Sequence, residues 1–170
     1  MKEKLLVLAK AAPEISKTYQ HLVCVAGITE TGEWRRIYPI PWKIFWKSSG
    51  KNFKKKSWVE YETASDSPSD HRPESRKIKF ETIKPLGEAK FQDIESLLKE
   101  RITCIEELET KGPKVQSLGV IKPRKVLDFT PVNNANYEKL VTKGAQTDLL
   151  GNSAIKLDIP KYNLTFHFEP

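Results

Sequence analysis

The sequence predicts an α+β fold: a small, partly open β-barrel, or a strongly bent and mostly antiparallel sheet, with helical inserts. Three observations lead there. Six or seven short runs of strand length are bounded by Gly, Pro, Asn, Asp or Ser. Apolar residues at the helical spacing of three and four collect mostly between 90 and 143, not in regular alternation with the strands, which argues against a doubly wound parallel sheet. At 170 residues the chain can bury a sizeable core without staples, so one domain over 1–170 is expected.

In chain order, LLVLA (5–9) is a continuous apolar run of strand length. AAPEISKTY reads as a short helix or loop with Pro13 in a first turn. HLVCVAGIT (21–29), apolar on both faces, is expected to be a central strand. Glu30-Thr31-Gly32 turns the chain into EWRRIYPI (33–40), where Trp34, Arg36 and Tyr38 share one face and Arg35 and Ile37 the other. Pro39 and Pro41 end the pairing or push it to a sheet edge. WKIFW (42–46) is a helical turn or an extended arm, and SSGKNFKKK a polar loop.

SWVEYET (57–63) alternates cleanly, with Trp58, Glu60 and Glu62 opposite Val59 and Tyr61. SDSPSDHRPES (65–75) is a turn-rich loop, and KIKFETI (77–83) alternates again. Phe91, Ile94, Leu97, Leu98, Ile102, Ile105 and Leu108 mark a helical insert at about 90–112, closed by Gly112-Pro113. Residues 117–132 read as one or two strands broken at Pro123, and NNANYEKLVTKG as a short helix. A last strand pair, AIKLDI then YNLTFHF, covers about 154–168.

No run approaches 18 apolar residues, so no membrane span is expected. The N-terminal lysines and LLVLA imitate a secretory leader, but five apolar residues are too few. Cys24 and Cys104 form no CxxC or Cys/His pattern, so no metal is expected and a reducing cytoplasm is. No GxGxxG, Walker A or GxSxG occurs, so no cofactor is expected either.

Function is most legible in residues 34–58. They hold all four tryptophans and eight Lys/Arg with no carboxylate, whereas the rest of the chain carries 21 basic against 22 acidic residues. Aromatic faces interleaved with cations suit a polyanion whose bases can stack. Arg35, Arg36, Lys43, Lys47, Lys54, Lys55 and Lys56 are the candidate phosphate contacts, with Trp34, Tyr38, Trp42 and Trp46 as stacking faces. The competing reading packs several of these rings into the core and leaves the cations solvated, because seven aromatics cannot all be exposed.

A second-tier candidate is Asp70, Arg72 and Glu74 in the 65–75 loop. The carboxylates could hold a metal or move protons, with Arg72 stabilising charge. The spacing fits no metal motif, and turn chemistry accounts for the composition equally well.

The blocks VCVAGITETGEWRRIYPIPWKIF, SWVEYET, SDHRPES and SLGVIKPRKVLDF resemble a family of uncharacterised prokaryotic proteins. That family has the pattern W-x-R-[LI]-Y-P-x-P-[FW]-[KR], D-x-R-P-E-S and S-L-G-x-[IV]-[KR]-P. The resemblance spans most of 1–130. It implies that Arg36, Tyr38, Pro39, Pro41, Asp70, Arg72, Pro73, Glu74, Lys122 and Pro123 stand at motif positions, and it supplies no activity. It also implies that longer members carry a Cys- and His-containing extension, which this sequence does not include. The expectation is a non-catalytic binder of single-stranded nucleic acid or RNA. The alternatives are a metal-dependent nucleic-acid-processing enzyme and a protein-interaction module anchored by the aromatic segment.

Overall fold

The computed structural model describes residues 1–16, 20–144 and 160–169. Lys2–Lys10 forms β1, Glu14–Ser16 β2, Gln20–Thr29 β3 and Trp34–Pro41 β4; 3₁₀ turns at Trp42–Phe45 and Lys47–Ser49 lead to β5, Ser57–Thr63. Then come β6 (Ser75–Arg76), β7 (Ile78–Glu88), α1 (Phe91–Lys99), β8 (Ile102–Thr103), α2 (Ile105–Lys111) and β9 (Val120–Ile121). β10 (Lys125–Asn133), α3 (Tyr137–Gly144) and β11 (Tyr162–Glu169) complete the order.

The main sheet runs β6-β4-β3-β1-β5-β7, with β2 on β3, and only the β4–β6 pair is parallel. Its end strands, β6 and β7, are separated in sequence by Lys77 alone. Laid flat, six strands would hold those edges roughly 24 Å apart at the usual strand spacing, whereas two residues reach only about 7 Å. The sheet must therefore curl until its edges meet, and the result is a partly open barrel.

Alternation decides what the barrel encloses. Leu5, Val7, Val25, Ile37, Val59 and Tyr61 point inward and are fully buried. Ile44, Phe45 and Phe53, from the connection between β4 and β5, join the same core, with Phe45 and Phe53 edge to face at 5.0 Å. β6 pairs with β4 only at Arg36 and Ile37, so among the described residues the Pro39–Pro41 end of β4 has its ladder with β3 alone. There β4 holds two residues, Tyr38 and Pro39, against the single Cys24 of β3. That bulge removes the missing proline donor from the ladder.

Two sequence expectations need correction. Residues 14–16, read as helix or loop, are a strand, because the extended β3 offers them a partner edge. The helical pattern at 90–112 is two helices, α1 and α2, interrupted where Ile102 and Thr103 pair in parallel with Val120 and Ile121. Residues 154–159 lie outside the described ones, and the 162–169 strand pairs with β10.

The chain forms two compact units, Met1–Ile121 and Lys122–Pro170. The second is the β10–β11 ribbon with α3; Phe129 faces Phe166 at 4.6 Å between ring centres. Its ribbon forms a separate sheet of its own, for which the sequence around Pro123 left no clear sign.

Candidate nucleic-acid interface

The faces of β4 send its two arginines to opposite fates. Arg35 points inward and is nearly buried. Its Nε and Nη2 donate to the Glu3 carboxylate at 2.8–3.1 Å, and Nη2 also meets Glu33 at 2.6 Å. The Tyr61 hydroxyl donates to the same Glu3 at 3.0 Å. Burial, then Glu3, pushes the Tyr61 phenol far above its ordinary range. Burial works against the Arg35 charge, yet the bonds and charge of Glu3 leave its pKa raised. Arg35, expected at a phosphate, is instead the cation of a buried ion pair, because a strand whose one face is core must put every second residue there.

Arg36 faces outward. Its Nη1 donates to Asp70 at 2.8 Å and to the Ser75 hydroxyl at 3.1 Å, and its guanidinium lies 4.8 Å from the centre of the Tyr38 ring. Asp70 also accepts the Arg72 backbone N–H at 2.9 Å. Burial opposes the Asp70 charge, but the Arg72 N–H, Ser75 hydroxyl and Arg36 guanidinium outweigh it and hold the carboxyl below its usual range. Arg36, 34 residues away in sequence, thus ties this loop to the sheet.

Glu74 is buried and accepts the Ser117 N–H at 2.6 Å and the Ser117 hydroxyl at 3.1 Å. The D-x-R-P-E-S and S-L-G blocks therefore meet in space. Gly119 lets the second block lie close, because a Cβ there would stand 2.7 Å from Leu108. A further tie runs from Arg101 Nε to the Gly32 carbonyl at 2.8 Å. Gly32, at φ +85°, has Arg101 where a side chain would go. Both carboxylates of the second-tier loop are engaged in bracing. Among the described residues no three His, Cys, Asp or Glu side chains gather at one point.

The 3₁₀ turns and the loop after them form the basic end of the barrel. Lys43, Lys54, Lys55 and Lys56 are exposed and make no ion pair among the described residues. Lys51, by contrast, donates to the Phe80 and Glu81 carbonyls. Of Lys47 only the backbone is described, in the second 3₁₀ turn. Among the rings, Trp46 is the exposed one, at 39%. Trp42 packs partly buried against the core and 5.6 Å from Phe45, and Trp34 is half-buried.

Lys10, from the end of β1, joins this cluster and was missed by local reading. Its Nζ lies 4.1 Å from the Phe45 ring centre and donates to the Phe53 carbonyl at 2.9 Å. Burial first, and Lys55 second, lower its pKa. A lysine repelled by another lysine marks an end of the barrel with more positive charge than its own side chains neutralise.

The sequence matches the family described as domain of unknown function DUF8758 over residues 1–107, and the chain belongs to that family. No curated protein and no solved structure matches it. No described helix is long and apolar enough to cross a membrane.

Proposed function

We propose that this member of the DUF8758 family is a non-catalytic nucleic-acid-binding barrel that takes single-stranded DNA or RNA on its basic end. Lys43, Lys54, Lys55 and Lys56 meet phosphates, Lys10 adds to the local field, and Trp46 offers the stacking face. The observation that carries this reading is the set of four exposed lysines that have no ion-pair partner among the described residues, together with Lys10, whose pKa is lowered by burial and by Lys55. A site of that kind gains free energy from any polyanion that displaces its counterions. Trp46 gives it a means to hold bases without reading them.

Architecture supports the same reading by analogy. Small, partly open barrels of the OB type bind oligonucleotides on one sheet face and its adjoining loops, though fold alone assigns no function. Two free thiols accord with a cytoplasmic setting, and the motif blocks with a prokaryotic source. Arg35 and Trp42 drop out of the interface, since one is buried in an ion pair and the other packs on the core.

The test is an oligonucleotide titration at several salt concentrations, followed by tryptophan fluorescence. Four lysines at about 0.7 counterion each give log K against log salt a slope of about −3 for a single strand. A slope near zero, or no binding at low salt, overturns the proposal.

A further inference from the structure

The outer face of β3 and β4 carries a feature that the basic end does not use. A cleft of about 640 Å³ lies between that face and the segment 105–118. Its volume is in the range of small-ligand sites. The barrel side contributes Arg36 and Arg72, with Cys24 between β1 and β4 on the strand below; Leu108 and Pro113 belong to the opposite wall, whose lining is mostly apolar. The Arg72 Nε is buried and has no hydrogen-bond partner among the described residues. Both guanidiniums act on the Cys24 thiol, opposing the upward push of its burial, so the two cations converge at one place.

The walls are tied to each other before any ligand arrives. Glu74 holds Ser117 and Arg101 holds the Gly32 carbonyl, so ordering the cleft costs little at the moment of binding. An apolar wall facing a planar, always-charged donor fork selects a ligand with a flat body and an anionic end. Glu109, also lining the cleft, disfavours a second negative group there and can accept from a ring amine.

We infer that this cleft binds one nucleoside monophosphate unit, its phosphate on Arg72 and its base against Leu108 and Pro113. The unit comes either as a free nucleotide or as the 5′-phosphorylated end of a strand. The inference stands on the cleft itself; only the strand-end source rests on the nucleic-acid reading above.

Alkylation of the two thiols by N-ethylmaleimide tests it in the intact protein. Cys24 lines the cleft, and the exposed Cys104 lies outside it as an internal control. Adenosine 5′-monophosphate should slow modification of Cys24 several-fold and leave Cys104 unchanged. Arg72→Ala should weaken that nucleotide at least about tenfold, the loss of a charged hydrogen bond, with its melting temperature confirming a folded protein. Adenosine alone or inorganic phosphate alone should protect far less.

Equal protection by phosphate alone, or none by the nucleotide, overturns the inference. Oligonucleotides with 5′-phosphate and 5′-hydroxyl ends separate the sources. Protection by the phosphorylated strand in preference to the hydroxyl one assigns the strand end, and protection by the mononucleotide alone assigns the free ligand. Salt-dependent strand binding without nucleotide protection leaves the basic end intact and sinks the cleft; nucleotide protection without strand binding does the reverse.

Discussion

At the scale of single residues, Arg35 and Arg36 are neighbours in sequence whose carboxylate partners lie on opposite faces of one strand. Arg35 is the cation of an ion pair whose side chains are about one-tenth exposed on each side. Removing it strands the Glu3 charge inside the barrel. Arg35→Ala should therefore destabilise by about 3–5 kcal/mol while the affinity of the folded fraction for an oligonucleotide stays unchanged. Denaturant melts and titrations at matched folded fraction check this. A soluble variant of near-native stability with weakened binding would return Arg35 to the interface.

Asp70 makes a pH-dependent contribution of known sign. Its folded pKa is depressed below the ordinary value near 3.8, so its stabilisation is fully present above that value and is lost as pH falls through the lower folded value. The gap in melting temperature between wild type and Asp70→Asn should be complete at about pH 6 and close as pH drops below about 4. A gap that widens in acid would contradict the assignment of Arg36 as its partner.

At the scale of elements, the connection between β4 and β5 does two jobs with two sets of side chains. Ile44, Phe45 and Phe53 plug the barrel, while Lys43, Trp46 and Lys54–Lys56 stay at the surface. Trp46→Ala should weaken strand binding by about 1–3 kcal/mol with little change in melting temperature. Trp42→Ala should show the inverse: lower stability and little direct effect on affinity. If Trp46→Ala unfolds the protein, the stacking role fails. Replacing Lys54, Lys55 and Lys56 by serine should lower the salt slope by about 2. Lys56 has φ +62°, so Lys56→Gly separates its charge from its backbone, removing the cation while relieving the left-handed conformation.

At the scale of the whole molecule, the Met1–Ile121 unit has its own core and sheet. A chain ending at Ile121 should melt cooperatively and retain oligonucleotide binding, because every residue of the proposed surface lies within it. Loss of cooperative melting in that fragment would show that the barrel depends on Lys122–Pro170.

Local pattern was enough for much of this fold. Alternation in EWRRIYPI and SWVEYET fixes which residues share a face; β5 obeys it residue by residue, and β4 does so from Trp34 to Tyr38, up to the bulge. The apolar run 21–29 marks an interior strand because only a strand covered on both sides can be apolar on both. The sequence by itself also determined that the excess positive charge and all four tryptophans fall in one segment. It could not say which face is the inside, so Arg35 and Arg36 looked alike until curling of the sheet set one against Glu3 on the inner face and the other against Asp70 on the outer face. Nor could it join partners distant in sequence: Lys10 to Phe53, Arg36 to Asp70, Glu74 to Ser117. Those pairings depend on closure of the barrel and on the return of the 105–118 segment over β3 and β4. Periodicity records the direction of each side chain relative to its own strand, whereas only the tertiary structure decides what stands opposite it.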